Sequence, residues 1–343
     1  MSKDRVAELT RINEERYNEI RRLTRALANA QGEIEKLESR QAVITTLSKS
    51  IGEPPRWLSP RRKVSQHEGT PVLLLSDLHL DEVVDRREMD GMNEYNRVIA
   101  DERLERVING TADYLRTYTS NIEYTGIVIG LLGDIITGAI HEELAKTNEA
   151  GVPATIVHWV PKLAAGLDWL QREIDAPMFV PCVTGNHDRT GKRIQYKNRA
   201  EESYAWIIYH WLADKLAAMN EDITVSISES DEIYFPVYDT RFLAVHGDGT
   251  RGGSGIGGIW PPIMRYVAKK QQVMASINKP FDHMLMGHWH QLVYGTGFVI
   301  NGSLKGYDEY ARGNSFGFER PQQALFVVTP ENGITMRTSV FAD

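Results

Sequence analysis

The sequence predicts an α/β layered domain that follows a long charged helix. From Pro71 onward, short hydrophobic runs typical of strands alternate with amphipathic stretches at 101–118, 160–173 and 201–219 that are typical of helices. The strand-like runs are PVLLLSD, GIVIGLLGD, PMFVPCVTGNHD, RFLAVHGD, HMLMGHWH, TGFVINGS and QALFVVTP. Such alternation is the signature of a layered α/β architecture.

The first 48 residues predict one long helix. A heptad pattern runs over residues 6–44, and most of its seam positions are apolar. Asn13 falls at an a position, where a polar residue can fix the register of a coiled coil, but Glu33 and Glu38 would repel each other across a parallel dimer. A coiled coil, and with it a homodimer or a protein partner, and an amphipathic helix lying on its own domain are therefore both open.

A proline-rich, basic stretch without periodicity follows this helix and is interpreted as a linker. The predicted organisation is an N-terminal helix at 1–48, a linker at 49–70 and the main domain at 71–343.

Composition narrows the class of protein. The chain has 343 residues, 42% of them hydrophobic, which is enough for a sizeable core. Its net charge of -7 argues against wrapping nucleic acid over the whole surface, so any such contact must be local. The single cysteine, Cys182, excludes an intrachain disulfide. With no signal-peptide pattern and no long apolar run, we expect a cytoplasmic protein without membrane contact.

Five strand-like runs end on the same kinds of polar residue. A single Asp or His after a strand is usually a cap, a turn or a packing residue. Five coincident ends weaken that interpretation, because polar groups at the carboxyl ends of strands form the functional sites of α/β folds. The residues are Asp77, His79, Asp134, Asn186, His187, His246, His288 and His290.

These side chains suit metal ions. Apart from His187 they offer two carboxylates, one amide oxygen and four imidazoles. That set is too large for one tetrahedral ion and is about right for two ions sharing a bridge. The mixture of nitrogen and oxygen favours transition metals over Ca²⁺ or Mg²⁺. We expect two divalent ions, with manganese preferred and iron, zinc, cobalt or nickel as alternatives.

The order of these blocks resembles that of the calcineurin-like metallophosphoesterase superfamily over residues 72–302. The blocks are DLH at 77–79, GD at 133–134, GNHD at 185–188, HGD at 246–248 and GHWH at 287–290. The resemblance implies a four-layer α-β-β-α sandwich of two mixed β-sheets flanked by helices. It also implies that one metal is held by Asp77, His79 and His290, that the other is held by Asn186, His246 and His288, and that Asp134 bridges the two.

The same resemblance assigns the chemistry. Two ions would lower the pKa of a shared water and present it as hydroxide in line with a phosphorus. His187 is similar to the catalytic histidine of the family, which as an imidazolium stabilises the transition state or protonates the leaving oxygen. Asp188 in the same block is a second catalytic candidate. We interpret His288 and His290 as side chains on an extended segment that point the same way, with Trp289 turned aside.

The substrate is less defined. The GDxVDRG and GNHE patterns of protein phosphatases are replaced here by GDIITG and GNHD, which disfavours that branch. Thr137 stands where repair nucleases often carry a second histidine, and His141 is interpreted as a helix-start residue rather than its substitute.

A basic segment after GNHD and a glycine-rich loop after His246 bear on the choice. Arg189 and Arg193 in the first and Arg251 in the second are candidate substrate contacts, although a solvated charge run is an equal alternative for the first.

The prediction is a dinuclear phosphodiesterase acting on nucleic acid. The alternative is an enzyme for nucleotides, cyclic nucleotides or other small phosphoesters. A scaffold with a silent core is disfavoured, because no metal ligand is missing. The aromatic, glycine-rich ending is similar to that of phage-encoded members of the superfamily.

Overall fold

The computed structural model describes residues 16–35, 38, 55, 68–250 and 258–343. The chain divides between Lys49 and Ser50 into two units. In the first unit, residues 16–35 form helix α1, as the sequence predicts. Its apolar side chains Ile20, Leu23 and Leu27 are each more than half exposed. The coiled coil remains a prediction.

The second unit contains two mixed sheets. In the larger sheet the strands run in the order β12-β11-β1-β3-β4-β5, and β2 pairs with β1. Strands β1, β3, β4 and β5 are parallel, whereas β11 and β12 are antiparallel additions. The strand bounds are β1 Glu68–Leu75, β2 Glu123–Tyr124, β3 Ile127–Leu131, β4 Met178–Cys182, β5 Ile223–Ile227, β11 Gln322–Thr329 and β12 Gly333–Phe341.

The smaller sheet has the order β6-β7-β8-β10-β9. Its central strands β7, β8 and β10 are parallel, and the outer strands β6 and β9 join antiparallel. The bounds are β6 Glu232–Val237, β7 Thr240–Val245, β8 His283–Met286, β9 Val293–Gly295 and β10 Phe298–Ile300.

Helices cover the outer faces of both sheets. Helices α2, α4 and α5 contribute to a core cluster with one face of the larger sheet, and α6 packs on the smaller sheet. Helices α3 and α7 are short. The helix bounds in this unit are α2 Arg97–Thr117, α3 Glu142–Thr147, α4 Val152–Ile174, α5 Tyr204–Met219, α6 Trp260–Ser276 and α7 Glu309–Gly313.

Alternation along β1 shows how the layers are built. Leu73 and Leu75 face the helices, whereas Val72 and Leu74 face the smaller sheet. Successive strand residues point to opposite faces, so an all-apolar strand is required when both faces are buried. The inter-sheet core adds Phe235 and Phe242 from the smaller sheet. The predicted four-layer sandwich is confirmed.

Boundaries differ from the sequence prediction in two places. Strand β1 begins at Glu68, inside the segment assigned to the linker, because Glu68 and Gly69 pair with β2. Helix α4 begins at Val152 and continues through Pro161, where the prediction had started it just before that proline.

In the described part of the chain, we find no helix with both the length and the apolar character that crossing a bilayer requires.

We predict that Phe242→Ala lowers the free energy of unfolding by about 3–5 kcal/mol, because it leaves a cavity between the sheets. Phe242 is fully buried and its ring lies 5.6 Å from that of Phe235. Urea denaturation measures the change. Phe341→Ala is the matched control, since that ring is 45% exposed. Equal losses in the two variants would contradict a packed inter-sheet core.

Candidate dinuclear metal centre

The ends of five strands meet at one edge of the sandwich. Parallel pairing of β1, β3 and β4 in one sheet, and of β7 and β8 in the other, brings their carboxyl ends to the same side. Backbone hydrogen bonds then join the following loops. The Asp77 N–H donates to the Gly133 carbonyl at 3.1 Å, and the Gly287 N–H donates to the His246 carbonyl at 2.8 Å.

The first ligand group is Asp77, His79 and His290. The Nε2 atoms of His79 and His290 lie 3.1 Å apart, and His290 Nε2 lies 3.3 Å from Asp77 Oδ1. Asp77 and His79 are fully buried. These are the three side chains predicted to share one metal.

The second group is Asp134, His246 and His288. His246 Nε2 lies 3.0 Å from Asp134 Oδ2 and 3.0 Å from Asn186 Oδ1, so the predicted amide ligand lies in the same cluster. The rings of His246 and His288 are 5.2 Å apart between centroids. The structure therefore also brings the second predicted ligand set together.

Asp134 lies between the two groups. Its Oδ2 atom is 3.0 Å from His246 Nε2 and 4.0 Å from His79 Nε2. Burial alone would raise the pKa of this carboxyl, but the charge of His246 and its hydrogen bond outweigh that effect and hold the pKa well below its usual range. Asp134 is thus an anion in contact with both sets, as a bridging ligand must be.

The donor set fits two divalent ions. In each group the ligand atoms lie within 4.8 Å of one another. Burial lowers the pKa of His79 and brings that of His288 to about 4, so both imidazoles are neutral, which is the ligand form. Burial also acts to lower the pKa of His246, yet the Asp134 charge raises it to about 10. A metal ion would compete with that proton.

The ligand backbone is unusual. Asp77, His79, Asp134, His288 and His290 all have positive φ, between 47° and 68°. Left-handed backbone is uncommon outside glycine and asparagine and costs free energy, and it clusters at functional sites. The interpretation of 288–290 as an extended segment is therefore wrong. The two histidines reach different groups because the chain turns at each of them, while Trp289 does pack on the core beside α6.

His187 lies beside the metal ligands without belonging to either group. Its backbone N–H donates to Asp134 Oδ1 at 2.7 Å, and its Nδ1 donates to the Thr137 carbonyl at 3.1 Å. Its ring centroid is 4.7 Å from that of His79. Burial lowers the pKa of His187 to about 3, so the ring is neutral here, in contrast to the predicted imidazolium. A substrate phosphate is the kind of neighbouring anion that would favour its protonation.

Asp188 has a different role from the predicted one. It is fully buried, and its two carboxylate oxygens accept backbone N–H groups of Asp134, Ile135 and Gly185 at 2.8–3.1 Å. Burial and the Asp134 charge raise its pKa to about 7. With its oxygens occupied by the backbone, Asp188 is a positioning residue that shapes the turns carrying Asp134 and His187.

A buried ion-pair network supports His79. Glu82 Oε2 lies 3.3 Å from His79 Nδ1, and Glu82 Oε1 accepts from Lys305 Nζ at 2.7 Å. Lys305 also pairs with Asp308 at 2.6 Å, and Thr137 donates its hydroxyl to Glu82. Burial alone would raise the pKa of Glu82, but Lys305 holds it well below its usual range. This network was not predicted from the sequence, where its only local signal is the position of Glu82 three residues after His79.

Asp77 is held by a second network. Asn301 donates to the Ser76 hydroxyl at 2.9 Å, and Ser76 donates to Asp77 Oδ2. Ser303 donates its hydroxyl to the Asp77 carbonyl at 3.0 Å. Residues that follow β10 therefore fix both the carboxylate and the backbone of this ligand.

The predicted substrate arginines lie in different environments. Arg189 is half-buried, and its Nε and Nη1 atoms are buried without a hydrogen-bond partner among the residues that the structure describes. Arg193 is exposed, and Arg251 lies outside the described residues. Arg199, which the sequence analysis did not single out as a contact, donates to both oxygens of Asp248 at 2.7 and 2.8 Å.

His141 begins helix α3, as predicted, but its ring also lies 5.7 Å from that of His187. It is exposed and makes no side-chain cap hydrogen bond. His141 is therefore at the rim of the site and not only a helix-start residue.

We predict that Glu82→Gln weakens manganese binding at the His79 group by about 10–100-fold, because the carboxylate that orients His79 is lost. Isothermal titration calorimetry on purified apoprotein measures the affinity. Glu88→Gln removes an exposed carboxylate elsewhere in the domain and is the control. Unchanged affinity in a folded Glu82→Gln protein would show that this contact does not support the ligand.

No protein-family profile and no curated protein matches the chain. The chain is, however, similar to several solved structures. A predicted phosphoesterase from Streptococcus pneumoniae TIGR4 is 9% identical over 79% of this chain and 97% of its own, with a TM-score of 0.28. Vps29 from Chaetomium thermophilum is 10% identical over 80% and 100%, with a TM-score of 0.32. A dimetal phosphatase from Danio rerio is 12% identical over 80% and 99%, also at 0.32.

What identifies the centre is the placement of the side chains themselves. Two buried ligand groups share Asp134 at the carboxyl ends of strands from both sheets. The chain therefore has the four-layer fold and the complete ligand set that its resemblance to calcineurin-like metallophosphoesterases implies.

Proposed function

We propose that the protein is a metal-dependent phosphodiesterase that hydrolyses nucleic acid. The observation that carries the proposal is the convergence of two ligand groups on one shared carboxylate, with His187 beside them. When bound, two divalent ions at such a site would activate a water and neutralise phosphate oxygens. Asp77, His79 and His290 would hold one ion, Asn186, His246 and His288 the other, and Asp134 both.

The protein groups around the ions each have a defined task. His187 is fixed through its backbone N–H and Nδ1, which leaves its Nε2 edge to face a substrate oxygen. There it can stabilise the charge that develops or deliver a proton to the leaving group. Asp188, Glu82 and Ser76 hold the ligands in place and do not touch the reacting atoms.

Cationic groups next to the centre favour a polyanionic substrate. Within the described part of the chain, the buried Nε and Nη1 atoms of Arg189 have no hydrogen-bond partner, and the Arg189 charge interacts with those of Asp248 and Asp134. Unpaired buried guanidinium donors are costly unless a ligand satisfies them, and arginine suits phosphate. The exposed Lys197 and Arg193 extend this charge outward along a loop that also presents Tyr196. A nucleic-acid strand with several phosphates would contact both Arg189 and the exposed basic residues of this loop.

The alternative is an enzyme for small phosphoesters. Arg189 alone, whose Nε and Nη1 find no partner among the described residues, is sufficient to bind one phosphate group, while Arg199 is already paired with Asp248. In that case the exposed basic residues would be an ordinary solvated surface.

We predict that wild-type protein with Mn²⁺ degrades end-labelled single-stranded oligonucleotides and that His187→Ala reduces the rate by about 100-fold or more while binding manganese normally. Gel analysis of the products and calorimetry give the two readouts. His158→Ala, a histidine of helix α4, is the matched control and should retain activity.

Two results would redirect the proposal. Intact oligonucleotides alongside His187-dependent hydrolysis of a small phosphoester would favour the alternative substrate class. Loss of manganese binding in His187→Ala would contradict its placement outside the ligand set.

We predict that Arg189→Ala raises KM for every phosphoester tested by about tenfold, because one charge-assisted contact to phosphate is lost. Arg193→Ala should raise KM only for oligonucleotides, and its effect should fade with added salt. Steady-state kinetics on a small diester and an oligonucleotide at two salt concentrations separate the two. If the two variants changed KM in the same way for both substrates and at both salt concentrations, the separate roles of Arg189 and Arg193 would be contradicted.

A further inference from the structure

A cavity of about 260 Å³ opens on the side of the domain where the segment after β10 lies. Two aromatic side chains, Tyr307 and Phe318, form part of its wall, with their ring centroids 5.5 Å apart in an edge-to-face arrangement. Phe318 is 57% exposed and belongs to no core cluster of the described residues. An aromatic side chain that is exposed beside a cavity is accessible to a ligand bound there.

The wall of this cavity is tied to the metal ligands at two points. Glu319, which lines it, accepts the backbone N–H of Leu292 at 2.9 Å, and Leu292 comes two residues after His290. Tyr307 comes two residues after Lys305, which pairs with Glu82 beside His79. One residue of the cavity wall is thus hydrogen-bonded to the segment that follows His290, and another follows the lysine that pairs with Glu82.

The cavity is also rigidly framed. Asn93 donates its amide to the carbonyls of Lys305 and Tyr307 at 2.8 and 2.6 Å. Arg103 donates to the carbonyls of Leu304 and Lys305 at 3.1 and 2.7 Å, so its charge is engaged by the backbone. A pre-formed, framed pocket is what binding of a small flat group requires.

The chemistry of the lining argues against a phosphate as the occupant. Among the described residues, the charged side chains that line it are two arginines and three acidic residues, so positive charge is not in excess there. Hydrogen-bond donors and acceptors are both available at the wall, from Arg86 and from Glu94 and Glu319. An uncharged ring with both kinds of polar edge is complementary to such a lining. At 260 Å³ the space is slightly below the ~300–1,000 Å³ of sites for drug-sized ligands, which suits a single base.

We infer that this cavity binds an unpaired nucleobase of the strand that is cleaved, with Phe318 and Tyr307 supplying the stacking surface. The inference rests on the proposed function and narrows its substrate to single-stranded or locally unpaired nucleic acid. A base within a duplex is stacked on both faces and cannot enter a pocket without leaving the helix.

The test is strand binding in a His187→Ala background loaded with Mn²⁺, where cleavage of the oligonucleotide is slowed by about 100-fold or more. Fluorescence anisotropy measures the affinity of a labelled single strand for Phe318→Ala, Phe318→Trp and Phe316→Ala proteins. We expect Phe318→Ala to weaken binding by about tenfold or more, because one base-stacking contact is lost. Phe318→Trp should bind like the parent. Phe316 is similarly exposed but does not line the cavity, so Phe316→Ala should change binding less than twofold.

A second set of strands carries one abasic residue at each position in turn. For the parent protein, one position should show the same tenfold loss, and at that position Phe318→Ala should cause no further loss. Equal binding by the Phe318→Ala and Phe316→Ala proteins, or a Phe318→Ala effect that persists at every abasic position, would overturn the inference. If the wild type cleaves single strands under either of these results, the proposed function stands and only the base pocket fails.

Discussion

The site depends on one buried anion shared by two sets of ligands. Asp134 is 1% exposed, and its Oδ2 lies within 4.0 Å of an imidazole from each group. A lone buried carboxylate would be destabilising and would take up a proton, so its charge must be compensated. In the protein the compensation comes from His246 and from the His187 N–H. Two cations would provide it more fully, which explains why so many imidazole side chains surround this residue.

Holding those donors requires backbone that is unfavourable elsewhere. Five ligands have left-handed φ values, and Gly133 and Gly185 are needed because a Cβ on either would overlap the other's turn or the Asp134 carboxylate. Such strain persists only when surrounding contacts determine the conformation. Asp188 provides several of these contacts, and the chain from Asp308 through Lys305 to Glu82 provides others. The rigid sandwich beneath therefore makes the site possible.

The sequence was sufficient to predict the layered fold, the sheet-edge position of the site and the seven ligand side chains that the structure brings together. These follow from hydrophobic runs and from polar residues at strand ends, which are local signals. The conformation of 288–290 was predicted incorrectly, because alternation along a strand does not apply once the chain leaves the sheet. The role of Lys305, and with it that of its partner Asp308, could not be predicted, since the contact between Lys305 and Glu82 spans more than 200 residues. The role of Asp188 depended likewise on turns that only the fold brings together.

Metal stoichiometry tests the central claim most directly. Wild-type and Asp134→Asn apoproteins are dialysed against Mn²⁺ under identical conditions and analysed for bound metal. The comparison replaces the shared carboxylate with a neutral isostere. The account predicts two ions per wild-type chain and a loss of affinity at both positions in Asp134→Asn, because the Asp134 carboxylate would serve as a ligand to both ions. One ion or none in the wild type, or two ions bound normally by Asp134→Asn, would contradict it.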